Sequence, residues 1–335
     1  MNSWNQLLTQ EQETLTAGQL AAGFAAPLGE QGLIAFSGEE SATFLHSQLT
    51  NDVEHLGLGD VRLAGYCSPK GRMLASFLMW RTAESIFLQL PRAIQPAIQK
   101  RLQMFILRAK TKPADVTDQY VTLAIGGADG EAVLQTWFDV LPATPFSKID
   151  HPLGTLLRVA DAFGSPRYLW LATADTATVA APVLKDRLHV GGDEAWRLSE
   201  IHAGVPQVGA GTQEQFVPQM VNFELLGGVN FKKGCYPGQE IVARSQYLGK
   251  LKRRTALASI ADAGAMPGAE VFSPADPEQP CGMVVNTARN GAGGVDALVE
   301  MKLEALEAGD VRFGSASGPA LQFKPLPYAL DKLDV

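Results

Sequence analysis

Cysteine is scarce in this chain: Cys67, Cys235 and Cys281 are the only three in 335 residues, and no two form a C-x-x-C pair. Their number and spacing exclude a disulfide framework and a self-contained zinc or iron–sulfur site. Any one of them can be a free thiol, and the default for a free thiol is a small buried hydrophobe. The five histidines (His46, His55, His151, His189 and His202) form no i, i+4 pair and no H-E-x-x-H, which removes a zincin-type site. Walker A and G-x-S-x-G sequences are missing, and Gly126-Gly127-Ala128-Asp129-Gly130 lacks the G-x-G-x-x-G spacing, so it reads as a turn into a helix. No apolar run approaches the ~18–20 residues that cross a bilayer. Met1-Asn2-Ser3-Trp4-Asn5-Gln6 has neither a basic nor an apolar leader region, so a cytoplasmic location with no membrane partner is expected.

What is present is globular. Hydrophobic residues make up 46% and charged residues 19% of the chain, which excludes disorder. The formal charge is −7, the wrong sign for a general nucleic-acid coat. The cations are unevenly spread. Residues 231–254 hold Lys232, Lys233, Arg244, Lys250, Lys252, Arg253 and Arg254 against Glu240 alone, a net +6 that leaves the remainder at −13. The plain reading of such a run is a solvated face.

Along the chain, Ser37-Gly38-Glu39-Glu40 reads as a capping box before a short helix carrying Phe44, Leu45 and Leu49. Residues 61–67 and 72–80 read as strands joined by the turn Ser68-Pro69-Lys70-Gly71, with a third strand at 86–90. Pro91 and Pro96 open a helical stretch to about Arg108, with Ile94, Ile98, Leu102, Phe105 and Ile106 at 3–4 spacing. Further strands are expected at 121–125, 156–159 and 168–172, and helices at 131–140 and 176–188. After about residue 250, short β-prone segments alternate with Gly/Pro-rich turns, the texture of a small antiparallel barrel. Strands joined by hairpins with interspersed helices predict an α+β fold with mixed or antiparallel sheets. We expect one α+β region over 1–248, in two subdomains, and a C-terminal β-barrel over 249–335.

One motif is dense. In Lys233-Gly234-Cys235-Tyr236-Pro237-Gly238-Gln239-Glu240, glycines permit unusual backbone angles around a cysteine that follows two lysines. Cations beside a thiol favour the thiolate, and a helix starting at Gln239 would add its dipole. On residues alone, a reactive thiol and a structural loop cysteine both stay open.

This octapeptide resembles the K-G-C-[FY]-x-G-Q-E signature of the YgfZ family, folate-binding relatives of the glycine cleavage T-protein. Gln48-Leu49-Thr50-Asn51-Asp52-Val53, Lys70-Gly71-Arg72-Met73, Phe216-Val217-Pro218-Gln219 and Lys324-Pro325-Leu326-Pro327-Tyr328 fit the same resemblance, which spans about residues 30–330. It implies T-protein-like domains around a central opening, a C-terminal barrel and binding of tetrahydrofolate or a derivative. It also implies support of iron–sulfur enzymes, including those that thiolate tRNA, with an iron–sulfur cluster passing transiently through the protein. Trp196 matches a tryptophan tied to the folate, while a second folate-linked tryptophan is replaced in Gln31-Gly32-Leu33-Ile34. His202 stands where relatives often carry a glutamate that bonds the pterin. Gln219 and Asn222 are expected to line the folate pocket, and Arg244, with Lys232, Lys233 and Lys250, to hold the anionic glutamyl tail or an acidic partner. Leu74 and Ala75 occupy the positions of the aspartate pair of the aminomethyltransferase branch. Without that carboxylate nothing is placed to protonate an aminomethyl intermediate.

The resemblance thus implies a non-catalytic accessory factor with Cys235 as its key thiol, acting on iron–sulfur client enzymes, and not an aminomethyltransferase. The alternatives are a folate-dependent one-carbon transferase using Cys235 or His202, and, ranked last, direct tRNA binding through residues 231–254.

Overall fold

The structure is a computed structural model that describes residues 14–248 and 251–330. Met1–Gln6 and Lys250 lie outside the described residues. From the N-terminus the elements are α1 (Ala17–Ala22), β1 (Phe24–Pro27), β2 (Gln31–Ser37), α2 (Ser41–His46), β3 (Val61–Cys67), β4 (Met73–Arg81) and β5 (Ser85–Pro91). There follow α3 (Gln95–Met104), β6 (Lys112–Asp115), β7 (Val121–Gly126), α4 (Gly130–Leu134), β8 (Ser147–His151), β9 (Gly154–Ala162), β10 (Ser165–Ala172), α5 (Ala174–Arg187), β11 (His189–Val190) and α6 (Asp193–His202). After a long irregular stretch come α7 (Gln239–Tyr247), β12 (Arg253–Ile260), β13 (Glu270–Ser273), β14 (Asp276–Arg289), β15 (Val295–Lys302), α8 (Leu303–Ala308), β16 (Arg312–Phe313) and β17 (Gln322–Lys324).

The strands form three sheets, in the orders β11-β1-β7-β10-β9-β8, β3-β4-β5-β2-β6 and β16-β13-β14-β15-β12-β17. Every pairing is antiparallel except β1 with β11. The α+β class is therefore correct. The third sheet curls until its edges approach at the Arg312–Ala320 bridge, beside the Leu321 N–H to Val311 carbonyl bond of 2.8 Å.

Strand alternation explains the layering, because successive side chains point to opposite faces. In β2, Leu33 and Ala35 join a central core while Ile34 and Phe36 join an outer core under α2 and α3. In β10, Leu169 and Leu171 face the centre and Tyr168 and Trp170 face an outer core with α5. In β12, Leu257 faces the centre and Ala256, Ala258 and Ile260 fill the curled sheet. Three sheets each turn one face to a common centre, and Trp196, Leu198 and Ile201 of α6 pack into it.

Some local expectations fail for identifiable reasons. Ser37 ends β2 instead of capping a helix, and no side-chain cap bond forms at Glu40. The Glu40 carboxylate takes the Lys110 amide at 2.6 Å. Pro91 closes β5, and only Pro96 lies in the first turn of α3. That helix stops at Met104, leaving Phe105 as its C-cap, half exposed, instead of in the core stripe. The helix expected over 131–140 ends at Leu134; Phe138 instead seats edge-on against Trp170, 5.1 Å between centroids. Among the described residues no helix is long and apolar enough to cross a membrane.

Candidate functional site

Two neighbourhoods gather the residues that the sequence singles out. The first is a cavity at the common centre, walled by Leu63, Leu78, Phe146 and Leu169 and reached by Trp196 and Glu200 of α6. Residues four apart lie one above the other on a helix face, so the Trp196–Glu200 spacing puts an aromatic face and a carboxylate on one wall. The Arg167 guanidinium lies 4.8 Å from the Trp196 ring centroid and donates to Glu200 Oε1 at 2.7 Å and Ser199 Oγ at 2.9 Å. Burial pushes the Glu200 carboxyl up, and Arg167 offsets part of that shift. Gln31 and Gln207 exchange amide hydrogen bonds of 3.1 and 3.3 Å at the cavity wall. Gln89 also lines it, and its Nε2 is buried without a partner. The free space is about 40 Å³, room for roughly three waters at about 10–15 Å³ each.

Of the five expected folate residues, only Trp196 lines this cavity. His202 sits two residues past Glu200, on another face of α6, and its Nε2 meets Asp296 Oδ2 of β15 at 2.6 Å. Gln219 is fully buried, donating to the Val242 carbonyl at 2.8 Å. Asn222, at φ +56°, donates to the Thr255 carbonyl at 2.8 Å and accepts the Thr255 amide at 3.3 Å. The Gln219 amide thus braces α7 and the Asn222 amide the start of β12, and neither faces the cavity. Arg244 lies on the exposed side of α7, 2.8 Å from Glu240 one turn earlier. Leu74 and Ala75 are buried in the outer core. Sequence reading missed Arg167, Glu200 and Gln89; the i, i+4 spacing from Trp196 was the available signal for Glu200.

The second neighbourhood is the cysteine loop, which the quoted segments surround. Gly238, at φ +81°, is the N-cap of α7, and a Cβ on it would stand 2.4 Å from the Ser68 carbonyl oxygen and 2.7 Å from Gly71 Cα. Gly71, at φ +71°, has the same restriction against Ile241. The loop thus docks on the β3–β4 turn through two glycines facing each other. Lys233 Nζ donates to the carbonyls of His46 and Leu49, the latter at 2.9 Å, and lies 4.8 Å above the Tyr236 ring centroid. Its burial lowers the ammonium pKa to about 8, against the opposing pull of Asp52, Cys235 and Glu54. His46 Nδ1 is 3.1 Å from Asp52 Oδ1, and its Nε2 is 3.6 Å from where a Gly234 side chain would begin.

Cys235 is exposed, whereas Cys67 and Cys281 are buried. Burial pushes the Cys67 thiol up to about 12. Cys235 lies four residues before the first residue of α7, outside its first turn. Among the described residues no three His, Cys, Asp or Glu side chains gather at metal-binding spacing.

Residues 28–151 match the GCVT N-terminal domain family. The solved glycine cleavage system aminomethyltransferase T from Bartonella henselae superimposes with a TM-score of 0.73 at 17% identity, covering 93% of this chain and 87% of that one. The fold is that of the glycine cleavage T-protein. The tRNA-modifying protein YgfZ of Colwellia psychrerythraea is 33% identical over 249 residues, 73% of this chain and 74% of the relative. That of Cronobacter sakazakii is 29% identical over 311 residues, 91% and 93% of the two chains. The chain belongs to the YgfZ family.

Proposed function

We propose that this protein is a folate-binding accessory factor that supports iron–sulfur enzymes, among them enzymes of tRNA modification, with Cys235 as its working thiol. The observation that carries the reading is the contrast among the three thiols. Two are sealed in cores, and the third is presented on a loop held by paired glycines beside the tethered Lys233. The names of the relatives, tRNA-modifying proteins, support the link to tRNA. One thiol cannot ligate a cluster alone, so a client or a small thiol would complete its coordination in transit.

The central cavity suits a folate head group in its donor set: an aromatic face at Trp196, an unpaired buried donor at Gln89 and a carboxylate at Glu200. Its 40 Å³ of free space requires the lining to open before a fused heterocycle enters. Binding would then be weakened by the fraction of molecules already open. A carboxylate is missing at Leu74 and Ala75, and His202 is held by Asp296; both features argue against aminomethyl transfer. On this reading residues 1–248 supply both sites, and 249–335 brace α6 from behind.

The test is complementation of a host lacking its own copy, read as activity of an iron–sulfur tRNA-modifying enzyme. Wild type restores it, and Cys235→Ser folds but does not. Full activity with the variant overturns the role of the thiol. In parallel, tetrahydrofolate quenching of tryptophan fluorescence should be saturable and be lost in Trp196→Phe.

A further inference from the structure

Four of the seven cations of residues 231–254 are engaged within the fold. Arg244 pairs with Glu240, Arg253 with Glu300 and Arg254 with Glu224, while Lys233 is spent on two carbonyls. A different set of cations assembles instead. A surface cleft of about 490 Å³ is lined by Ser68, Pro69 and Lys70 of the β3–β4 turn, by Arg72, by Arg101 of α3 and by Glu214. Three cations thus face one carboxylate, on a chain whose net charge is −7. Among the described residues no carboxylate lies within 4.0 Å of Lys70, Arg72 or Arg101, although Arg72 donates one N–H to the Gln215 carbonyl and its charge also reaches Glu300. Unneutralised cations gathered in a concave surface focus a field that attracts a polyanion.

One helical turn beyond Arg101, Phe105 is 49% exposed, with Met104 at 60% and Leu107 at 89% beside it. Phe105 stands outside the cleft lining, one helical turn from Arg101, and an aromatic ring within reach of backbone-binding cations is the combination that holds single-stranded nucleic acid, where phosphates pair with cations and bases stack. An acidic polypeptide would use the cations and leave the ring without a partner. The cleft also adjoins the cysteine loop, because its Ser68–Gly71 turn is the surface on which Gly238 docks.

We propose that the cleft at the β3–β4 turn binds the phosphate backbone of single-stranded RNA, with Phe105 as a stacking platform. This goes beyond the accessory reading and rests on it only for what the bound strand would lie beside, the Cys235 loop.

The experiment is fluorescence anisotropy of a labelled, unstructured RNA oligonucleotide with the full chain. Three neutralised phosphates on a single strand give a slope of log K against log salt near −2, so affinity falls about twentyfold between 50 and 200 mM. Lys70→Ala and Arg101→Ala each reduce the slope magnitude by about 0.7. Phe105→Ala weakens binding about tenfold at unchanged slope. Lys70 is exposed, so its variant reports even where Arg101→Ala fails to fold. Absence of binding at 50 mM salt, or a Lys70→Ala slope equal to wild type, overturns the proposal. Displacement of RNA by a polyglutamate peptide as effectively as by unlabelled RNA would also overturn it, in favour of an acidic protein partner. Cys235→Ser binds RNA like wild type, so failure here is distinguishable from failure of the thiol reading.

Discussion

The docking of the cysteine loop on the β3–β4 turn rests on a position where no side chain fits, and two alanine substitutions isolate that effect. Gly238 and Gly227 both adopt left-handed backbone, at φ +81° and +73°. An alanine in that region costs about 1–2 kcal/mol from its own Cβ against the backbone, and this part is common to both sites. The surroundings differ. A Cβ at Gly227 has nothing within 4 Å, whereas at Gly238 it would lie 2.4 Å from the Ser68 carbonyl oxygen and 2.7 Å from Gly71 N and Cα. These are backbone atoms of a turn closed by the Gly71 N–H to Ser68 carbonyl bond of 2.8 Å, so no rotamer change relieves the overlap. Overpacking of this kind costs a further 1–3 kcal/mol or so. Gly227→Ala is therefore expected to lose about 1–2 kcal/mol and Gly238→Ala about 2–5 kcal/mol in urea unfolding. If the loop escapes by lifting off the turn, the global loss shrinks. Amide exchange over 236–242 then accelerates and Cys235 alkylation changes, neither of which Gly227→Ala would cause. Equal unfolding free energies together with equal exchange in the two variants would refute the close-contact argument.

Two further predictions concern the frame around the sites. Burial alone would raise the Asp296 carboxyl, but hydrogen bonds from His202, Lys324, Ser259 and Asn290 outweigh it and hold the pKa well below the usual range. A depressed folded pKa contributes stability that is complete above the unfolded value near 3.9 and is lost as pH falls below it. The melting-temperature gap between wild type and Asp296→Asn should therefore be at its full width at neutral pH and begin to narrow only below about pH 4, progressively as the pH falls towards the folded pKa; a gap independent of pH would contradict this. Arg254 and Glu224 form a pair with side chains only 3% and 4% exposed. Removing one partner of such a pair costs about 3–5 kcal/mol, while replacing both with apolar residues can be close to neutral. A denaturant double-mutant cycle should find Arg254→Met severely destabilised and Arg254→Met with Glu224→Leu largely restored. Additive losses would show that the charges do not act as a pair.

The parts of the fold legible in the sequence are those in which local chemistry and tertiary packing agree. The β3–β4 hairpin has two short, largely apolar strands and a turn with Pro69 and Gly71 where a tight turn wants them, and it forms as expected. The illegible parts have their local signal overruled. Lys112–Asp115 contains Pro113 and no alternation, yet it pairs as the edge strand beside β2, where a missing ladder donor is tolerated. Glu40 has the spacing of a capping box, but the Lys110 amide, 70 residues away, competes for its carboxylate and wins.

The same competition decides the sites. Trp196 and Glu200 share a helix face by spacing alone, so once α6 forms that wall of the cavity follows. His202 breaks the spacing, and α6 turns it towards Asp296. Charge behaves in the opposite way to periodicity. A run of cations measures neighbours along the chain, and between strands and helices such neighbours diverge to separate carboxylates, as Arg244, Arg253 and Arg254 do. Lys70, Arg72 and Arg101 look ordinary in sequence because the last lies on a different element, and only the packing of α3 beside the β3–β4 turn sums them into one field. The cations of this cleft, left without a carboxylate within 4.0 Å, line the same Ser68–Gly71 turn on which Gly238 of the exposed-cysteine loop docks.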